Sequence, residues 1–397
     1  MTASLFALAV KLMLAIHTYG TEDVDTWRRF AFGVREHGPV GIYGVNFKAR
    51  IGILYNHPPL VGDLLVVLNR LSDWNLGIQV TLRSLASLSD GLSTILVFEL
   101  LRARTSLARA RMAALGVSLS PTLILISGYH GNTDPIFLSL LLLGTYLLVD
   151  RDRPFYGGMT LAFALGIKLV PVVALPSLAA YLVRRRGHRS FMLAASGLAL
   201  TCLLIWGPAL LLQWSALRHN VFGYAGITDR PWGPVSFATK AHLTWLAHFL
   251  IGPGRIAVLV MCAAAPAWFV LRRPDTVISA TALSVISFLT LSPAFSVQYL
   301  AWGVAASYLI DVSWATAFNL LAGVLLVQVY DRWNRGSWSQ IAFGRAFTTT
   351  ELLGAGIVWG VLVLLLLTRS RRALCGAGND PESTRPAGPP RRSRPLA

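Results

Sequence analysis

At 397 residues, with 54% hydrophobic and only 13% charged side chains, the chain is far more apolar than a soluble domain, where about a quarter of residues are charged. Its apolar residues fall in runs approaching the ~20 needed to cross a bilayer, which excludes a soluble enzyme. The net charge of +17 is concentrated in short segments between those runs: Arg102 to Arg111, Arg184 to Arg189, Arg272 and Arg273, Arg369 to Arg372. Such a distribution marks cytoplasmic loops and contact with anionic lipid. It does not suggest nucleic acid, for which no ordered motif is present.

In chain order, a first span near 3–19 runs outward. It lacks a basic leader and a small-residue cleavage site, so it reads as uncleaved. An outer segment, about 20–73, opens with Glu22-Asp23-Val24-Asp25-Thr26-Trp27. Two carboxylates spaced i, i+2 at the water edge of a span suit chemistry on a hydroxyl or a cation; the plainer alternative is that both cap the first outer helix. Arg28, Arg29, Arg35, Lys48 and Arg50 share this segment. Either long loops translocate regardless of charge, or these cations hold an anion such as phosphate. Tyr55-Asn56-His57-Pro58-Pro59-Leu60 then precedes an amphipathic stretch, 61–71. Its prolines fit the start of a helix lying on the membrane, or a tight turn before a packing helix.

A span near 75–101 carries Arg83 and Asp90 on one face, two turns apart, as a polar network within the bundle. Spans near 112–128 and 135–149 form a hairpin with His130-Gly131-Asn132-Thr133-Asp134-Pro135 at its outer tip. Short pieces at 155–168 and 171–183 go out and back around Lys168. An intramembrane ammonium marks a functional site by default, unless it snorkels to the interface. A span near 190–212 leads to a second outer segment, 213–254, and four pieces follow near 255–271, 275–291, 298–310 and 312–330. A third outer loop covers 331–347, before a last span near 348–368. The expectation is an all-α polytopic membrane protein, with residues 1–372 as one domain of about twelve crossings (range about 11–13). Both termini are expected in the cytoplasm, with a disordered tail at 373–397, rich in Pro, Gly, Ser and Arg. Cys202, Cys262 and Cys375 have neither disulfide-framework nor metal-ligand spacing, and no metal site is expected from them.

The acidic-aromatic opening, the Tyr-x-x-Pro-Pro-Leu turn at Tyr55 to Leu60, Gly131 to Pro135, Gly166-Ile167-Lys168-Leu169-Val170-Pro171 and Ser292 to Trp302 occur in one order along the chain. This series resembles the integral-membrane glycosyltransferases of the GT-C superfamily. The likeness is greatest to family 87 and to polyprenyl-phosphate-dependent mannosyl- and glucosyltransferases. The late segment departs from the pattern, carrying Gln298 where some eukaryotic relatives place a His-Glu-Lys cluster.

The resemblance implies a GT-C-like bundle in the plasma (inner) membrane with its active site on the outer face. An inverting enzyme there would move a hexose (mannose or glucose) or a pentose. The donor would be a polyprenyl phosphate and the acceptor a hydroxyl of a lipid-linked or cell-envelope glycan. Asp23 stands at the family base's position, to take the acceptor proton. Asp25 would orient Asp23, bind acceptor, or hold a divalent cation (Mg or Mn), the one cofactor contemplated. Lys168, Arg230, Lys240 and Gln298 are expected to contact the donor phosphate, whose departure needs cationic stabilisation. Tyr55, His57, His130, Asn132, Asp134 and Tyr299 are expected to bind substrate, although His57 and His130 would also suit ordinary turns and interfacial aromatics an ordinary belt. Two other classes remain open. A secondary transporter would use Lys168, Asp90 and Asp311 as an ion path, and a lipid-linked polysaccharide polymerase or ligase would share the architecture.

Overall fold

The computed structural model describes residues 2–224, 232–293 and 295–375. Among them the chain is helical throughout and contains no strand, only an isolated parallel bridge between Thr21 and Ala342. Most of the expected tail, from residue 376 on, lies outside the described residues.

The principal helices are α1 (Thr2–His17), α2 (Glu22–Gly41), α3 (Pro59–Asp73), α4 (Ile78–Arg102), α5 (Leu107–Ser118), α6 (Asp134–Val149), α7 (Pro154–Ile167) and α8 (Leu175–Tyr181). They continue with α9 (His188–Leu212), α10 (Gly233–Lys240), α11 (Thr244–Ile251), α12 (Gly254–Arg272), α13 (Val277–Leu291), α14 (Leu300–Ile310), α15 (Val312–Trp333) and α16 (Thr349–Cys375). Among the described residues, 7 helical runs are long and apolar enough to cross a membrane, including Leu107–His130, which contains α5. Four shorter apolar helices stand among them, Thr2–His17, Asp134–Val149, Pro154–Ile167 and Val297–Ile310. The protein is therefore an all-α, multi-pass membrane protein. Large side chains such as Leu203, Leu204 and Leu211 on α9 are more than two-thirds exposed, as a lipid-facing surface requires.

Three contacts fix which helix ends lie together. Arg104, past the end of α4, binds Asp150, past the end of α6. Arg186, beyond α8, donates to the Val149 carbonyl at 2.9 Å, and Arg109, at the start of α5, donates to the Ile310 carbonyl of α14 at 3.0 Å. The internal arginine clusters thus gather at one end of the bundle. Because the helices run up and down, the turns after α1, α7 and α15 and before α6 and α14 meet at the other end.

The first long segment, expected outside the membrane, is built on α2 and α3. Pro59 opens α3 at its first turn, where its missing N–H costs nothing. Val61, Leu65 and Leu68 recur at helical spacing and are buried, and α3 packs mainly on α2. Each such side chain contributes about 1.5–3 kcal/mol relative to exposure in water. Asn69 on the same face donates to the Ala31 carbonyl of α2 at 2.7 Å. The amphipathic face therefore meets protein, as the turn-and-packing-helix alternative has it.

Arg83 and Asp90 are not partners. Asp90 receives Lys11 of α1 at 2.6 Å with both side chains buried. Arg83 donates to the carbonyls of Ala15 and Thr18 at the end of α1 and to that of Tyr129 at 3.4 Å. It thus supplies the C-terminal carbonyls of α1, which lack helical partners, and ties them to the turn that holds His130. Removing one member of a buried ion pair leaves an uncompensated charge, at a cost of about 3–5 kcal/mol. Lys11→Met is therefore expected to lower the thermal unfolding midpoint markedly, and Lys11→Met with Asp90→Leu to recover most of the loss.

Candidate active site

The described sequence motifs converge at the end of the bundle opposite the arginine clusters. Gly20 and Gly131 make the approach possible. Both have positive φ, +87° and +80°, a conformation open to glycine. A Cβ on Gly20 would lie 2.7 Å from the Tyr129 carbonyl oxygen, and one on Gly131 2.8 Å from Val24. Thr21 donates to the His130 carbonyl at 3.0 Å and the Trp27 indole to the Gly131 carbonyl at 3.1 Å. The start of α2 is thereby fastened to the turn between Tyr129 and Asp134.

This places Asp23 against His130. Oδ2 of Asp23 lies 2.9 Å from Nε2 of His130 and 3.4 Å from the amide nitrogen of Gln298. Neither interaction is with a backbone amide, so Asp23 does not cap its helix. Nδ1 of His130 lies 2.8 Å from the hydroxyl of Tyr330, at the end of α15. The Asp23 carboxylate accepts from Nε2–H, so each ring nitrogen of His130 has its own partner. Tyr330 is fully buried, whereas the Asp23 side chain is 36% exposed. Burial pushes the Asp23 carboxyl up, but the charge and hydrogen bond of His130, aided by the ammonium of Lys168, outweigh it. The group sits below the usual carboxylate range and is ionised at neutral pH.

Beside it stands a second ion pair. Pro171 cannot continue α7, and Lys168 is extended at the break (φ −155°, ψ 148°). Its ammonium pairs with Oδ1 of Asp134, whose side chain is completely buried. Asp134 also accepts from the Trp302 indole at 2.9 Å and sits in the first turn of α6, where the helix dipole favours an anion. Asn132 prepares that turn by accepting the Asp134 amide at 2.9 Å. The ammonium lies 4.4 Å from the ring centre of Tyr299 and 4.9 Å from that of Trp302, within cation–π range. Gln298 and Tyr299, adjacent in sequence, thus reach Asp23 and Lys168 respectively.

The remaining candidates divide. The His57 ring packs on Trp27 with centroids 4.5 Å apart. Burial, then the charge of Lys168, push its pKa down to about 3, so it is a neutral donor or acceptor and no cation for phosphate. Tyr55 is buried among Phe30, Tyr43 and His57. Asp25 points elsewhere: it binds Arg29 at 2.8 Å on the exposed side of α2, since residues two apart in a helix do not share a face. Arg35 similarly pairs with Asp73, so Arg29 and Arg35 are held by carboxylates. Lys240 ends α10, exposed, and makes none of the contacts around Asp23 or Asp134. Arg230 lies outside the described residues. No group of three or more His, Cys, Asp or Glu side chains able to hold a metal occurs among the described residues.

The loop at 334–348, between α15 and α16, closes the back of the group. Its Ala342 exchanges backbone hydrogen bonds with Gly20 and Glu22 at 2.9 and 3.0 Å, and Gly344 donates to the Glu22 carboxylate at 3.0 Å. Sequence reasoning missed Tyr330 and the packing of Trp338 on Tyr129 (centroids 4.7 Å), because neither belongs to a motif. The one available signal was a tyrosine near the predicted water edge of a span.

The model of glycosyltransferase family 87 matches residues 55–293. The chain belongs to glycosyltransferase family 87. No curated protein matches it. The family 87 match takes in His57, His130, Asp134 and Lys168 but begins after Asp23 and ends before Gln298, so the geometry alone joins those two to the site. For this family 87 protein, loss of the Tyr330 hydroxyl removes one hydrogen bond worth about 0.5–1.5 kcal/mol. Tyr330→Phe is accordingly expected to lower kcat about three- to tenfold with little change in KM and an altered pH–rate profile.

Proposed function

We propose that the protein is an inverting glycosyltransferase that takes a hexose, mannose or glucose, from a polyprenyl phosphate. The acceptor is a hydroxyl of a lipid-linked or cell-envelope glycan. The observation that carries this reading is the pairing of one ionised, part-exposed carboxylate with one ammonium at a single end of the bundle. In the reaction the acceptor oxygen attacks the anomeric carbon from the face opposite the phosphate. As the new C–O bond forms, the acceptor proton passes to Asp23. The bond from the anomeric carbon to the phosphate oxygen breaks, and its electron pair leaves with the phosphate. Lys168 supports that growing charge, with Gln298 as a neutral donor. His130, fixed by Tyr330, holds Asp23 in its ionised form. One base without a second nucleophile implies inversion.

The orientation follows from charge. Arginine-rich short loops favour the cytoplasm, which supports a site on the outer face of the plasma membrane with the N-terminus inside. A transporter's ion path finds little support: Asp90 is taken by Lys11, and Asp311 caps α15 by accepting the Trp314 amide at 3.0 Å. Among the described residues the carboxylates near the site do not fit a divalent cation, which prefers several oxygen ligands, since Asp25 faces Arg29 and Asp134 is occupied by Lys168 and Trp302. Proteoliposomes supplied with polyprenyl-phosphate mannose or glucose are expected to transfer sugar equally with and without EDTA. Transfer only from nucleotide sugars would refute the donor assignment, and abolition by EDTA the metal-independent one.

A further inference from the structure

We propose that a groove next to the active site is the subsite for a neutral sugar of a membrane-anchored acceptor, a reading that rests on the transfer reaction above. The groove, of about 460 Å³, lies between Tyr43 on one side and Gln213, Trp214, Ser215, His219 and Asn220 on the other. Tyr43 joins it to the site: its hydroxyl donates to the His57 carbonyl at 2.5 Å, and the His57 ring packs on Trp27, one helical turn from Asp23.

The lining chemistry selects the ligand. Among the described residues no Lys, Arg, Asp or Glu lines the groove, in a chain with 35 basic and 18 acidic residues. The side chains of Gln213, Ser215, His219 and Asn220 make no hydrogen bond among the described residues. Amides and hydroxyls beside an aromatic ring match the alternating hydroxyls and C–H faces of a sugar, whereas a phosphate head group calls for cations. Trp214 is held for this role by Phe222, with centroids 6.3 Å apart, and Phe222 is itself stacked on Trp206 at 5.6 Å. The indole nevertheless remains 52% exposed. Leu212 in the groove wall and Leu211 just before it are 72% and 85% exposed, an apolar track suited to the acceptor's lipid anchor. The acceptor sugar then enters from the lipid side, past Trp214 and toward Asp23.

Binding can be read without turnover. Hexyl α-mannobioside and hexyl α-glucobioside would be added to the full chain in phosphatidylcholine nanodiscs, with saturation transfer measured at the sugar protons. Trp214→Ala and Asn220→Ala are each expected to weaken binding of at least one glycoside fivefold or more, with hexyl phosphate unable to compete. Asn220→Ala trims a surface amide and so guards against misfolding as the cause. Absent saturation transfer in the wild type, binding unchanged in both variants, or equal competition by hexyl phosphate would each overturn the subsite. A wild type that transfers sugar but shows one of those results keeps the reaction and loses this groove. Binding that depends on Trp214, in a chain inactive toward every polyprenyl-phosphate sugar, does the reverse.

Discussion

Asp23→Asn is expected to lower sugar transfer by about 10²–10⁴-fold, the range contributed by a positioned general base, while leaving the fold intact. The substitution is isosteric and its amide still meets His130 and Gln298, the two side chains that contact Asp23 Oδ2. What disappears is the ability to accept a proton. The carboxyl is held below its ordinary range by His130 against the opposing effect of burial. The wild-type rate should therefore stay independent of this group from neutral pH down to about pH 5. The sign is that of a depressed acid: its contribution is complete above the usual aspartate pKa and is lost only as pH falls through the folded value. Initial rates of the purified variant over a pH series check both statements. Activity within tenfold of wild type would remove Asp23 as the base.

Lys168→Met should be nearly as severe, about 10²–10³-fold, as for loss of one preorganised group facing developing charge. Its effect should fall on the donor. The ammonium sits beside the Tyr299 and Trp302 rings and pairs with a fully buried Asp134, so the methionine variant also strands a buried carboxylate. Lys168→Arg separates the two effects. It keeps the charge for Asp134 and should retain stability, yet recover only part of the rate, because a planar guanidinium does not reproduce a compact ammonium. Donor titrations at saturating acceptor, with unfolding midpoints measured alongside, provide the check. Unchanged donor kinetics in both variants would contradict the assignment.

Much of this arrangement was legible in the sequence, for physical reasons that differ by element. Apolar runs near the length of a bilayer gave the helices. The arginine clusters gave one end of the bundle, since internal contacts such as Arg104 to Asp150 do gather there. The motifs at Asp23, His130 to Asp134 and Lys168 stand out because charged, amide and imidazole groups are costly near lipid, whereas Gln298 was marked by the family resemblance alone. What stayed hidden is pairing across the chain. Asp23 and Asp25 look equivalent as a spacing, but helical geometry turns one toward His130 and the other toward Arg29. Arg83 and Asp90 share one face and a polar network as expected, but the sequence does not show that α1 supplies Lys11 to one and carbonyls to the other. Tyr330, 200 residues from His130, belongs to no local pattern, and only the packing of α15 brings it there.

The most direct measurement is the anomeric configuration of the product. The purified chain would be given a polyprenyl-phosphate hexose of known configuration and a glycan acceptor, and the new linkage read by NMR. A site with one base and no nucleophile predicts inversion in every product molecule. Retained configuration would demand a covalent intermediate or attack from the same face as the departing phosphate, and would contradict the mechanism.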